Sequence, residues 1–271
     1  MVSKRLSTTQ LKSMGYVDFM ALLDETNRPP GGLESLLVML QNTFVTKESQ
    51  VLDVGCNTGY CSFEISRLIE CAVTGVDINT NMIATANRNK NIYLDSQRAR
   101  KVNFIVGDAK KLAFPDNSFD LVMSGGSTAF VDDIPAAIRE YVRVCKDYGF
   151  MCDINFYYHT PPPQKLINKM NATMGTNIQP WDSSYWEKIY QVAGLERINI
   201  LRKEITQVSD EKVLTYAKEM AERLNVDTKA TTIIEAKLRP IMELFNENHR
   251  YLAAGVYIYR KNPHQYETAL F

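Results

Sequence analysis

Carboxylate side chains stand at the ends of three successive apolar runs in this sequence. Asp53 lies in VLDVG, Asp77 ends GVD and Asp108 ends IVGD. Such runs predict buried parallel strands, and doubly wound sheets bind ligands at the carboxyl ends of their strands. Asp77 lies 24 positions after Asp53, near the spacing of about 20 at which a carboxylate binds the two hydroxyls of a ribose. The three acids therefore predict a site for a ligand that contains ribose.

Two glycines, Gly55 and Gly59, follow the first run in the segment GCNTGY. Glycine lets the backbone turn and approach a ligand closely, so both are candidates for the same site. The third glycine of a dinucleotide-binding Gly-x-Gly-x-x-Gly loop is absent, which argues against a dehydrogenase. In the alternative interpretation each acid only caps a helix, at about 1 kcal/mol apiece. That alternative explains Asp108 alone better than it explains the set.

A second group of polar residues lies in the apolar run near residue 150. Asp153, Asn155 and Tyr157 alternate, so a strand places them on one face, and His159 follows. A carboxylate in an apolar strand costs several kcal/mol unless it is paired. We therefore name Asp153 and His159 as catalytic candidates, with Asn155 and Tyr157 as candidates for binding a substrate. A structural network for the strand residues and a simple loop position for His159 remain the alternatives.

Arg28 lies in a turn rich in proline and glycine, just before an apolar helix predicted over 33–40. A guanidinium near the glycine loop could pair with the carboxylate of a cofactor or a substrate, and a solvent-facing position is the alternative. Trp181, Tyr185 and Trp186 are expected to pack a helix. They line a substrate pocket only if the lid folds over them.

Strands alternate with helices from about residue 49 onward. Strands are predicted over 51–54, 73–76, 102–106, 119–123, 150–156, 197–205 and 252–259. Helices are predicted between them over 60–70, 79–89 and 134–145. This order predicts an α/β fold, a doubly wound and mostly parallel seven-stranded sheet whose last two strands form an antiparallel edge pair.

Two segments lie outside this predicted core of residues 49–205 and 251–262. Residues 1–48 are expected to be helical and to contribute to a cap, residues 206–250 form a helical lid insert, and 263–271 are a C-terminal tail. In the insert an apolar helical face is formed by Val213, Leu214, Ala217, Met220, Ala221 and Leu224. Pro240 is expected to break or kink a second helix. We expect the insert to cover the ends of the fourth and fifth strands, with a dimer contact as the alternative.

The bulk composition excludes several classes of partner. Thirty-one basic and 31 acidic residues balance to a net charge of zero, so no nucleic acid partner is expected. No signal peptide or membrane segment is evident, and five unpaired cysteines suit a reducing compartment, so the expected location is the cytoplasm. The few histidines and scattered cysteines predict no metal site. A monomer or a homodimer is expected.

The motifs VLDVGCNTGY, GVDIN and GDAKKLAFPDNSFDLVMS resemble class I methyltransferases, especially the group similar to small-molecule enzymes of ubiquinone and menaquinone biosynthesis. The resemblance covers about residues 48–156. It implies a Rossmann-like methyltransferase fold with S-adenosylmethionine as the cofactor. Asn57 replaces a second glycine that many members carry, which puts only the local loop conformation in question.

The resemblance also implies roles for individual residues. Those expected around the methionine and ribose are Asp53, Gly55, Cys56 and Gly59. Asp77 would bind both ribose hydroxyls, with Ile78 against the adenine. Asp108 and the Ala109 backbone would bind the adenine edge, and Ser124 would close the pocket near the sulfonium.

Methyl transfer to a small molecule is the function that these observations predict. The small residues of Ser124-Gly125-Gly126-Ser127 leave room for an acceptor. They differ from the Asn/Asp-Pro-Pro-Tyr/Phe motif of enzymes that methylate amino groups of nucleic acids. A protein or peptide methyltransferase and a non-catalytic protein that binds S-adenosylmethionine are the alternatives.

Overall fold

Seven strands form one sheet in the computed structural model, which describes residues 7–23 and 28–264. The strands are β1 Gln50–Val54, β2 Ala72–Asp77, β3 Val102–Val106, β4 Phe119–Ser124, β5 Cys145–Tyr158, β6 Glu196–Glu204 and β7 Leu252–Arg260. Their order across the sheet is β3-β2-β1-β4-β5-β7-β6. The first five in this order are parallel, and β7 runs antiparallel to both β5 and β6. The predicted fold class is confirmed.

Helices cover both faces of this sheet and one end of the molecule. Within the described residues they are α1 Thr8–Ser13, α2 Tyr16–Leu22, α3 Gly32–Gln41, α4 Tyr60–Ile69, α5 Thr80–Tyr93, α6 Ser96–Ala99, α7 Ile134–Val144, α8 Gln164–Met174, α9 Ser183–Val192, α10 Asp210–Arg223 and α11 Thr228–Asn248. Buried residues of α3, α4 and α5 pack on one face, and those of α7 and α9 pack on the other. The strand order reverses between β1 and β4, which is where doubly wound sheets bind ligands.

Strand β5 begins at Cys145, five residues before its predicted start, at a position assigned to the preceding helix. Lys146, Asp147 and Tyr148 are polar or exposed and resemble a turn, and Tyr148 has a φ of 61°. Their backbone nevertheless meets the end of β7, because the Tyr148 amide donates to the Lys261 carbonyl oxygen at 2.7 Å. This pairing between distant segments gives no local sequence signal.

The insert of residues 206–250 folds as α10 and α11, and its apolar face meets the N-terminal helices. Ala217 and Ile234 are buried in one cluster with Phe19 of α2. The helices α1 and α2 thus cover this apolar face, and the position of the insert over the ends of β4 and β5 stays a prediction. Leu214 does not belong to the buried face, since it is 38% exposed.

Pro240 does not break α11, which continues from Thr228 to Asn248. Proline removes one backbone hydrogen bond of the helix. Buried side chains on both sides of it, Leu238 and Ile241, hold the two halves in the cap cluster, which is the cluster that contains Phe19, Ala217 and Ile234. Tertiary packing therefore overrides the local helix-breaking tendency.

Parts of the predicted terminal segments lie outside the described residues, namely 1–6 and 24–27 of the N-terminal segment and 265–271 of the C-terminal tail. In the remainder of the chain, no helix has both the length and the apolar character that crossing a bilayer requires.

Candidate active site

The loop between β1 and α4 contains three residues with positive φ, Gly55 at 70°, Asn57 at 55° and Gly59 at 98°. Asparagine tolerates this region better than most residues, so Asn57 allows the tight loop without a glycine. A Cβ at Gly55 would lie 1.9 Å from the Ser127 hydroxyl oxygen. The Gly55 amide donates to the carbonyl oxygen of Val76 at 2.7 Å. The loop is thereby fixed to the end of β2.

Asp77 joins this loop to the start of α5. Its Oδ2 accepts from the Asn57 amide and its Oδ1 accepts from the Asn79 amide, both at 2.9 Å. Burial raises the pKa of the Asp77 carboxyl, and these two hydrogen bonds counteract the rise. Each oxygen of a carboxylate accepts two hydrogen bonds, so each retains one acceptor site for a ligand hydroxyl.

Asp53 lies beneath the loop and is only 1% exposed. Its Oδ2 accepts a hydrogen bond from the Ser62 hydroxyl of α4 at 2.6 Å. Burial raises the pKa of Asp53 to about 6, and the charge of Asp77 adds to the rise. Cys56 is also buried, and burial raises its thiol pKa. The loop and α4 therefore enclose both side chains.

Two apolar side chains near Asp77 remain open to solvent. Ile78 is 70% exposed and Val106, at the end of β3, is 51% exposed. Asp108 and Ala109 follow β3, and Oδ1 of Asp108 accepts from the Lys110 amide at 2.9 Å. Apolar side chains beside polar groups can bind a flat heterocycle, whose faces are apolar and whose edge forms hydrogen bonds.

The turn after β4 is held by hydroxyl groups. Ser124 is fully buried, and its Oγ lies 2.8 Å from Oγ of Ser127. The Ser127 hydroxyl donates to the carbonyl oxygen of Val54 at 2.7 Å, and the Thr128 amide donates to Oγ of Ser124 at 3.3 Å. The turn thereby lies against the end of β1 and the glycine loop.

The N-terminal proline turn crosses the same region. The Arg28 guanidinium stands 5.8 Å from the centre of the Tyr60 ring, which opens α4. A Cβ built at Gly126 would lie 2.9 Å from Cδ of Pro30. The structure therefore brings Arg28 near the glycine loop, as the sequence predicted, while leaving it exposed to solvent.

Asp153 and Asn155 lie on one face of β5 and are both fully buried. The Tyr190 hydroxyl of α9 donates to Oδ2 of Asp153 at 2.9 Å and accepts from Nδ2 of Asn155 at 3.4 Å. Among the described residues, Oδ1 of each side chain has no hydrogen-bond partner of normal geometry. Burial raises the pKa of Asp153 to about 7, although the hydroxyls of Thr128 and Tyr190 lower it in part.

The structure does not bring His159 to Asp153. His159 lies six residues further along the chain, just beyond the end of β5, which corresponds to about 20 Å at 3.3 Å per residue. The His159 ring is exposed and its Nδ1 lies 3.0 Å from the Thr160 hydroxyl. Tyr157 is 9% exposed and packs in the cluster between the sheet and α9. The two catalytic candidates therefore do not form a pair.

Trp181 and Tyr185 stack with ring centres 3.8 Å apart and an angle of 7° between their planes. Trp186 is fully buried behind them. The carbonyl oxygen of Trp181 accepts from the Tyr158 amide at 2.9 Å, which holds the stack at the end of β5. The first two rings border an open cavity, and Trp186 does not. None of the described residues that line this cavity belongs to the predicted lid, so the role of these rings in a pocket under the lid stays a prediction.

Sequence reasoning missed three residues of this region: Val106, Thr128 and Tyr190. It named Ser127 as a small residue of the turn SGGS but did not predict its hydrogen bond to the end of β1. Tyr190 lies 37 residues from Asp153 along the chain, and nothing in its local sequence indicates that contact. No group of three or more histidine, cysteine, aspartate or glutamate side chains that could hold a metal ion is found among the described residues. The absence of a metal remains a prediction.

Residues 52–152 match a family model described as a methyltransferase domain. This span contains the glycine loop, Asp77, Asp108 and the serine turn. The chain carries a class I S-adenosylmethionine-dependent methyltransferase domain. The domain is that of an enzyme, and its cofactor is S-adenosylmethionine.

Relatives and solved structures extend the similarity beyond this methyltransferase domain. An uncharacterized protein of Haemophilus influenzae is 27% identical over 71% of this chain and 76% of its own length. Phosphoethanolamine N-methyltransferase 3 of Arabidopsis thaliana is 27% identical over 76% of this chain, but the match spans only 43% of the plant protein. The crystal structure of MccD protein has a TM-score of 0.73 at 24% identity and covers 87% of this chain and all of that one. The last of these similarities concerns the fold alone.

Proposed function

We propose that this chain transfers the methyl group of S-adenosylmethionine to a small-molecule acceptor. The observation that carries the proposal is Asp77, whose two oxygens each hold one loop amide and keep one acceptor site open beside exposed Ile78. A ribose diol with an attached adenine matches this combination of acceptors and apolar surface. The small acceptor of the plant relative, phosphoethanolamine, supports the class of substrate.

The residues of the carboxyl edge fit the parts of the cofactor. Asp77 would bind the ribose hydroxyls, with Ile78 and Val106 against the adenine faces. Asp108 and the Ala109 backbone, at the end of β3, would bind the adenine edge. Gly55 and Gly59 allow the tight loop that would lie against the remaining part of the ligand, with Cys56 enclosed behind it.

Other predicted residues act behind the binding surface. Asp53 is buried against Ser62, so its role is to position α4 and the loop. Ser124 is bonded to Ser127 and fixes the turn beside the reacting groups. Arg28, exposed near Tyr60, is available to the carboxylate of the methionine part.

Catalysis in this arrangement rests on alignment and on the exclusion of water. When bound, S-adenosylmethionine would supply a methyl group to the acceptor's lone pair, and S-adenosylhomocysteine would be the leaving group. The chain must hold the acceptor at about 3–3.5 Å from the carbon of that methyl group. The serine turn provides a rigid wall for this purpose, since its hydroxyls already bond to one another. An acceptor that reacts from N–H or O–H also releases a proton.

Replacement of Asp77 tests the cofactor assignment. We expect Asp77→Ala to weaken binding of S-adenosylhomocysteine by tenfold or more, because two charge-assisted hydrogen bonds of about 1.5–3 kcal/mol are lost. Asp77→Asn keeps one acceptor oxygen and should give an intermediate affinity. Isothermal titration calorimetry measures both.

Asp210→Ala is the matched control, because Asp210 is an exposed acid in the first turn of α10. Its affinity should equal that of the wild type. Circular dichroism melts identify any variant that has failed to fold. An unchanged affinity in a folded Asp77→Ala protein would contradict the assignment.

A further inference from the structure

An open cavity of about 540 Å³ lies beside the short 3₁₀ turn Thr128–Phe130 that follows β4. The volume lies within the range of small-molecule sites, which is about 300–1,000 Å³. The turn forms one wall, and the connection between α8 and α9 forms the opposite wall. Among the described residues that line this cavity, none belongs to the insert of residues 206–250.

Three aromatic rings lie among the residues that line the cavity. Phe130 is 51% exposed, and the stacked pair of Trp181 and Tyr185 lies across from it. The free energy falls when a flat or apolar ligand covers exposed aromatic surface. The stacked pair is held to the end of β5 through the Trp181 carbonyl oxygen, so the wall is in place before a ligand arrives.

The cavity offers little charge to a ligand. Asp132 is the charged side chain among its described lining residues, and Lys110 already neutralises it at a distance of 2.6 Å. No described lysine or arginine lines the cavity, so a phosphate group would find no counter-charge there. The amide side chains of Asn177 and Gln179 border the opening. They provide hydrogen bonds for an uncharged hydroxyl or carbonyl group.

The cavity lies next to the cofactor side of the sheet. Ser127 bonds to the carbonyl oxygen of Val54 at the end of β1. Ala129, which lines the cavity, follows two residues later, so its Cα lies within about 7 Å of the Ser127 Cα. A single turn thus separates the glycine loop from the aromatic walls.

We infer that this cavity is the acceptor site and that the acceptor is an uncharged molecule with an aromatic or apolar ring. The inference rests on the proposed methyl transfer, because it names the substrate class of that reaction. It places the acceptor beside the connection between α8 and α9, whereas the sequence analysis expected the insert of residues 206–250 to cover it.

Binding of N-phenyl-1-naphthylamine, an uncharged probe that fluoresces in apolar surroundings, tests the site without knowledge of the acceptor. We expect one probe per wild-type chain, bound equally well with and without saturating S-adenosylhomocysteine. Asn177→Trp fills the opening and should weaken the probe at least tenfold. Tyr185→Ala removes one ring of the stack and should also weaken it. Phe44→Ala is the control, since Phe44 is an aromatic ring that is 84% exposed outside the cavity.

The possible outcomes separate this inference from the proposed function. Absence of probe binding to the wild type, or equal binding to Asn177→Trp, overturns the site. Displacement by S-adenosylhomocysteine overturns it too, because the probe would then occupy the cofactor cleft. Displacement by millimolar phosphoethanolamine overturns the uncharged substrate class. All variants should bind S-adenosylhomocysteine with the affinity of the wild type. A wild-type protein that does not bind S-adenosylhomocysteine would instead contradict the proposed function.

Discussion

At the scale of single residues, the carboxylates of this chain differ in what surrounds them. Asp77 has two backbone donors and remains partly open, whereas Asp53 and Asp153 are enclosed by protein. Burial disfavours the charged form of a carboxyl group and so raises its pKa. An open acid can bind a ligand, while an enclosed acid with a raised pKa can hold a proton at neutral pH.

We expect ionisation of Asp153 to lower the free energy of unfolding as the pH rises from about 4 to about 7, which is the pKa of Asp153 in the folded protein. The folded state binds the proton of Asp153 more tightly than the unfolded state does. The stabilisation is therefore complete below the pKa of the unfolded state and is lost as the pH rises through the pKa of the folded state. Asp153→Asn mimics the neutral acid and should remove this slope, which is at most about 1.4 kcal/mol per pH unit. Urea denaturation of both proteins at pH 5, 6 and 7 measures the difference.

The amide of Asp153→Asn can accept from Tyr190 and donate to the open Oδ1 of Asn155, so this variant should fold. Asp210→Asn, at an exposed site, provides the control for the other titrating groups. Parallel stability curves for Asp153→Asn and the wild type would mean that Asp153 is charged in the folded protein.

At the scale of elements, the cap is held by links between segments far apart in sequence. The Lys237 ammonium of α11 donates to the carbonyl oxygens of Leu11, Lys12 and Met14 at the end of α1, at 3.0, 3.2 and 2.5 Å. A cation at the C-terminus of a helix is favoured by the helix dipole. The short α1 therefore depends on α11 for its position.

We expect Lys237→Met to release α1 from α11, because the hydrogen bonds that link the two helices are lost. The free energy that holds α1 in place should fall by about 1–2 kcal/mol. Hydrogen–deuterium exchange followed by mass spectrometry should show faster exchange in residues 8–22. Lys229→Met is the control, since Lys229 is an exposed residue of the same helix. Equal exchange in both variants would show that apolar packing alone holds α1.

At the scale of the whole molecule, the sheet and the cap have separate apolar cores. The cap cluster joins α1 and α2 with α10 and α11, and Met82 of α5 is its buried contact with the helices that flank the sheet. The glycine loop and Asp77 belong to the sheet side. Cofactor binding and cap stability should therefore respond to different changes.

We expect Ala217→Asp to loosen the cap while the sheet persists. Ala217 is fully buried in the cap cluster, and an unpaired buried charge costs several kcal/mol. Hydrogen exchange should increase in α1, α2, α10 and α11 but not in β1, β4 and β5. Affinity for S-adenosylhomocysteine should remain within threefold of the wild type.

Thr215→Asp adds the same charge to the exposed face of α10 and should change neither measurement. A loss of protection throughout the sheet would mean that the cap and the core unfold as one unit.

The sequence by itself determined the cofactor half of this protein. Strand type, the alternation of strands with helices and the positions of Asp77, Asp108 and the glycine loop follow from local runs, because each strand is short, apolar and followed directly by its polar residue. Tertiary structure alone decided three other features. The contact of Tyr190 with Asp153, the early start of β5 and the burial of the cap face all depend on pairing between distant segments. Apolar periodicity predicts that a helix face is covered, but the partner that covers it is chosen by packing.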